Sequence, residues 1–85
     1  MKIRDAQIYS DLVVDIIREK QKNLGVSNYV LAQKTNLSEA SLSYIYHHQR
    51  RPTLYTLIMI TNALNLSLAD ILRQADHTQK QTTVR

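Results

Sequence analysis

The chain has 85 residues, with 11 Lys and Arg against 7 Asp and Glu, a formal charge of +4 and no cysteine. That length gives one domain with a modest core. The missing cysteines exclude disulfides, thiolate metal sites and a cysteine nucleophile. No apolar run approaches the roughly 20 residues of a membrane span, and Met1-Lys2-Ile3-Arg4-Asp5 leads into no apolar secretory segment.

One Gly and one Pro in the whole chain argue against a turn-rich β fold. Apolar residues instead recur at three- and four-residue steps, the helical period. The chain is therefore expected to be all-α.

The first nine residues leave three options open: an arm, an extra strand or a helical lead-in. Ser10 is positioned to cap a first helix, with Val13, Ile16, Ile17 and Leu24 on its inner side and Gly25 as its exit. Ser27 opens a short second helix in which Leu31, Val30 and Tyr29 are apolar and Ala32 is small. Asn36-Leu37-Ser38 breaks the period. Ser38 caps a third helix with Leu42 and Ile45 facing inward, and His47 to Pro52 reads as a polar, basic loop. Thr53 opens a fourth helix with Leu54, Leu57, Ile58, Ile60 (or Thr61) and Leu64 as its stripe. It ends at Asn65. Ser67-Leu68-Ala69-Asp70 has the form of a capping box for a short fifth helix, closed by Ile71 and Leu72. The polar stretch from Gln74 is expected to be a mobile tail. The organisation expected is a lead-in over 1–9, a domain over 10–73 and a tail over 74–85.

Charge adds direction. Between residues 20 and 65 the acid is Glu39 alone, against Lys20, Lys22, Lys34, Arg50 and Arg51. A basic middle favours an anionic partner such as nucleic acid.

Two short capped helices joined by a tight turn have the form of a helix-turn-helix. The run Ser27-Asn28-Tyr29-Val30-Leu31-Ala32-Gln33-Lys34-Thr35-Asn36-Leu37-Ser38-Glu39-Ala40-Ser41-Leu42-Ser43-Tyr44-Ile45 resembles the phage-repressor-like, or Cro/Xre-type, family. Pro52-Thr53-Leu54 and Ala63-Leu64-Asn65-Leu66-Ser67 are similar to that family's fourth and fifth helices. The resemblance covers residues 12 to 72. It implies a five-helix lambda-repressor-like fold and a sequence-specific transcriptional regulator, a repressor by expectation, that lays its third helix in the major groove of double-stranded DNA.

On that resemblance Ser38, Glu39, Ala40, Ser43 and Tyr44 are the candidate base readers. Glu39 suits a cytosine N4 donor, Ala40 a thymine methyl and Ser43 either polarity. Against these roles stand blander ones: Glu39 as an acid favoured by the helix dipole, and Tyr44 as a half-buried packing residue. Ser27, Asn28, Arg50, Arg51 and His47 are the candidate phosphate contacts, with Lys22, Lys34 and His48 as weaker ones. The bland alternative for Arg50 and Arg51 is a solvated loop.

Three departures from the family stand out. A common Arg–Glu pair between the first and third helices is here Gln21 and Tyr46, which implies a neutral hydrogen bond or a stacked contact. The glycine usual after that Glu is His48, so the loop is expected to be rebuilt. Asn28 replaces a longer Gln, which puts its phosphate contact in question.

No catalytic constellation, metal site or cofactor is expected, and no small-molecule ligand domain. A cytoplasmic homodimer on an operator is implied, joined through Leu68 and Leu72 or through Ile3, Ile8 and Tyr9. The rival is a protein-binding module, such as an antitoxin, with weak DNA affinity. Glu39 on the reading face keeps that rival open.

Overall fold

The computed structural model describes residues 3–83 and is built of helices: α1 (Ile3–Asn23), α2 (Asn28–Thr35), α3 (Glu39–Tyr46), α4 (Leu54–Ala63) and α5 (Leu68–Thr83). Helix α1 packs mainly on α5 and also on α3, α2 packs on α3 and α4, and α4 packs on α5. The core where they meet includes Val13, Val14, Ile17, Leu31, Leu42, Ile45, Ile60, Leu64 and Ile71. Each fully buried aliphatic side chain stabilises the fold by about 1.5–3 kcal/mol relative to exposure. No single helix among the described residues is long and apolar enough to cross a membrane.

The internal helix starts lie where the hydroxyl residues place them. Ser27, Ser38 and Thr53 sit in extended backbone, and each side-chain oxygen accepts an N–H three residues on, from Val30, Ser41 and Thr56. Ser67 does the same for Asp70 at 3.3 Å. Each cap contributes about 1 kcal/mol. The capping box at Ser67 is only half made. Asp70 turns its carboxylate to Arg73, being one methylene shorter than the Glu that reaches back in a full box.

Ser10 is not a cap. Helix α1 begins at Ile3, so Ser10 lies inside it and the expected lead-in is helical from that residue. Helix α5 runs on to Thr83, so residues 74–83, expected as a mobile tail, are helical. Ala75 is 0 % exposed. With Leu68, Ile71 and half-buried Gln79 it continues an inner stripe at steps of three and four, which small and polar side chains hide from a hydrophobicity reading. Residues 1–2 and 84–85 lie outside the described residues.

Several residues expected inside are exposed: Leu24, Tyr29, Val30, Leu54, Ile58 and Leu72. Helix α4 carries no charge, so its sequence offers no polar face to mark the outside. Its inner side is Leu57, Ile60, Thr61 and Leu64. Leu54, Tyr55 and Ile58 face out, Tyr55 at 70 % exposure.

Three helix exits use one device. Gly25, His48 and Asn65 have φ of 72°, 61° and 57°. The next residue in each case returns an N–H to the carbonyl five back: Val26 to Gln21, Gln49 to Tyr44 and Leu66 to Thr61. These are Schellman closures, which require a left-handed residue. The loop after α3 is therefore not rebuilt around His48; the histidine adopts the glycine conformation. His tolerates it better than branched residues do, and its ring contacts α1. Nε2 lies 2.9 Å from Asp15 and Nδ1 3.4 Å from Asp11.

His48→Ala removes those contacts and keeps the strain, whereas His48→Gly removes both. His48→Gly should be more stable than His48→Ala by about 1 kcal/mol in urea unfolding. Equal stabilities would mean that the left-handed backbone is not strained.

Candidate nucleic-acid interface

The surface of interest is the outer side of α3 and the segments at its two ends. Leu42, Ile45 and Tyr46 bury the inner side of α3. That leaves Glu39, Ala40 and Tyr44 exposed and Ser43 half-buried. The five candidate readers thus fall on the first turns of α3 and its cap. Their hydroxyls are partly engaged. The Ser38 hydroxyl accepts from the Ser41 N–H and donates to the Ser41 hydroxyl, both at 3.0 Å. The Ser43 hydroxyl lies 3.3 Å from His47 Nδ1. Glu39, in the first turn of α3, sits where the helix dipole favours an acid.

What holds α2 and α3 in register with α1 is the amide of Gln21, 4 % exposed. The Tyr46 hydroxyl donates to Gln21 Oε1. Gln21 Nε2 then donates to the Val26 carbonyl at 3.0 Å and to Asn28 Oδ1 at 2.8 Å. The neutral hydrogen bond is therefore made, and it is part of a longer chain. A tyrosine hydroxyl can donate into a carbonyl oxygen, which fixes the Gln21 amide and in turn fixes that of Asn28. The Asn28 oxygen is committed inward, and its Nδ2 remains a donor for an outside acceptor. Burial pushes the Tyr46 hydroxyl up to about 12, against a smaller opposing pull from the positive charge of Arg18.

Beside this chain lies a shallow depression of about 270 Å³, lined by Arg18, Lys22, Asn28, Ser43, Tyr46 and His47 among others. His47 Nδ1 lies 2.8 Å from the Ser43 carbonyl, which leaves Nε2 as the nitrogen available to a partner. Asn28 and His47, distant in sequence, are thus brought together with two cations. Arg18 was not among the residues singled out from sequence. Its signal is the i,i+4 spacing to Lys22 on the side of α1 that also carries Gln21.

The two loop arginines diverge. Arg50 lies over the Tyr44 ring, 5.3 Å from its centroid, with Nη1 3.4 Å from the Ser41 hydroxyl. Arg51 turns towards α1, its Nη2 3.9 Å from Asp11. Tyr44 is therefore neither buried packing nor an isolated aromatic: it is an exposed platform for a cation. Ser27 is exposed at the start of α2, its Oγ 3.2 Å from the Val30 N–H.

A family model described as the Cro/C1-type HTH DNA-binding domain matches residues 17–76. No curated protein matches the chain, and no solved structure does.

Ionising Tyr46 costs more in the folded protein than in the unfolded chain, because its hydroxyl is raised from 10.0 to about 12. This contribution is complete below pH 10 and is lost as pH rises through 12; a two-unit shift corresponds to about 2–3 kcal/mol. Tyr46→Phe should be less stable at pH 7 by about 1–3 kcal/mol, because it orphans the Gln21 oxygen. It should also lack this alkaline loss. Parallel stability–pH curves for the two proteins would refute the burial of that hydroxyl.

Proposed function

The chain belongs to the Cro/C1-type helix-turn-helix DNA-binding domain family, and from that premise we propose that it is a sequence-specific transcriptional regulator, a repressor, working in the cytoplasm on double-stranded DNA. The observation that carries this reading is the outer side of α3: rigidly backed by Leu42, Ile45 and Tyr46, and flanked towards its C-terminal end by the Arg50 loop and by the α2 start, which meets it through Gln21 and Tyr46.

In this reading α3 enters the major groove with its N-terminal residues foremost. Ser38, Glu39, Ala40 and Ser43 face the base edges, and Glu39 accepts from cytosine N4. The Ser27–Asn28 end of α2, with its unsatisfied amides and the Asn28 donor, meets one backbone phosphate. His47, Arg18 and Lys22 stand around the same depression, and Arg50 supplies a further backbone contact beyond α3. Arg51, being shared with Asp11, contributes less than Arg50.

One such unit reads about half a site, so two copies on a two-fold operator are the expected assembly. The outer face of α4, with Leu54, Tyr55 and Ile58, is the surface we assign to the second copy. Two chains that each carry +4 approach with least repulsion where neither presents a charge, and α4 has none. Of the surfaces expected from sequence, Ile8 and Leu72 are exposed as well, and the Tyr9 hydroxyl joins the two segments by donating to the Leu72 carbonyl at 3.1 Å.

Selection of tight binders from a random duplex pool, followed by salt titration, tests this reading. The wild-type protein should enrich a two-fold symmetric site and lose affinity steeply with salt. Glu39→Gln should change which base is preferred. Arg51→Ala should weaken all duplexes alike, and by less than Arg50→Ala. Ile58→Lys should enrich only half of the site. No enrichment, with weak binding to every duplex, would contradict this reading and favour the protein-binding module that the exposed acid Glu39 keeps open.

A further inference from the structure

We propose that Tyr44 is a positioning residue for Arg50 rather than a reader of bases: it holds the guanidinium along the edge of α3, ready for a backbone phosphate. This rests on the DNA-binding reading and assigns part of its affinity to a pair of residues.

Tyr44 holds Arg50 in three ways. Its ring lies under the guanidinium carbon at 5.3 Å. Its carbonyl accepts the Arg50 N–H at 3.2 Å and the Gln49 N–H at 2.8 Å, fixing the chain from which Arg50 springs. One turn earlier on α3, the Ser41 hydroxyl receives Nη1 at 3.4 Å. His48 makes this return possible, since its left-handed backbone turns the chain back over the last turn of α3.

The neighbouring arginine supplies the contrast. Arg51 leans on Asp11, so part of its charge is already answered within the protein. Among the described residues no ion pair claims Arg50. An aromatic face orients a guanidinium without neutralising it and leaves the planar fork open to two phosphate oxygens. It also removes rotamer freedom before DNA arrives, which lowers the ordering cost of binding. The stack takes one face of the Tyr44 ring, and this assigns the ring to Arg50 rather than to the bases.

The test uses the full chain, with a duplex selected by the wild-type protein and one of unrelated sequence. Affinities of wild type, Tyr44→Phe, Tyr44→Ala, Arg50→Ala and the Tyr44→Ala/Arg50→Ala double variant are measured at several salt concentrations. The arginine side-chain proton shifts of the DNA-free proteins are recorded by NMR. Thermal midpoints confirm that the variants are folded, as expected for two exposed side chains.

Tyr44→Phe should keep the ring-current shift of Arg50 and bind within about twofold of wild type, because the stack needs only the ring. Tyr44→Ala should lose that shift and roughly three- to tenfold in affinity on both duplexes equally. In the Arg50→Ala background it should cost less than about twofold more, because the two losses are one interaction. Independent, multiplying losses would overturn the proposal, as would an altered base preference in Tyr44→Ala or a Tyr44→Phe protein as weak as Tyr44→Ala. A wild-type protein that binds no duplex would overturn the regulator reading together with this proposal. Binding with an intact ring-current shift but no coupling would overturn this proposal alone.

Discussion

The amide of Gln21 is the contact on which the arrangement of α1, α2 and α3 depends. It stands at the end of α1, takes a hydrogen bond from the end of α3 and gives two, to the α1–α2 turn and to the start of α2. A buried amide with both ends satisfied is stable only in one arrangement of its partners, since any shift leaves a polar group orphaned in the core. Three helices are thereby held in one geometry by a neutral group. A charged pair in the same place would carry a larger desolvation cost. The same contact decides which end of the Asn28 amide points outward, so a core hydrogen bond sets the polarity of a surface group.

The charges around α3 are divided by what lies beneath them. On one flank Asp11 and Asp15 of α1 gather His48 and Arg51, which fastens the loop after α3 to the first helix. Elsewhere Arg18, Lys22, Asn28 and His47 surround a depression that, among the described residues, no carboxylate lines. Arg50 belongs to neither group and is held by an aromatic ring. Neighbouring basic residues are thus held differently: some by carboxylates of α1 and one by an aromatic ring.

Much of the fold was legible in the sequence because its internal boundaries are set locally. Ser27, Ser38, Thr53 and Ser67 cap by bonding an N–H three residues away, and Leu31, Leu42 and Ile45 reveal their inner faces by spacing. The full lengths of α1 and α5 were not legible. Their extensions are held by tertiary contact and by small residues such as Ala75, whose burial no hydrophobicity pattern reports. The uncharged α4 likewise gave no sign of which face is out.

For the interface, sequence supplied the residue types on α3 and its flanks but not their pairings. That Arg50 meets Tyr44 while Arg51 meets Asp11 depends on the left-handed turn at His48, where sequence pointed to a rebuilt loop. Arg18 went unnoticed because its relation to Asn28 and His47 exists only once α1, α2 and α3 are packed.

The most direct test of the account is a backbone amide NMR titration of the whole chain with a selected duplex. The account predicts shifts concentrated at Ser27 and Asn28, along α3 from Glu39 to Tyr44, and at Arg50, with the outer face of α5 unmoved. Shifts centred on α5, or none along α3 at a duplex concentration that saturates binding, would contradict it.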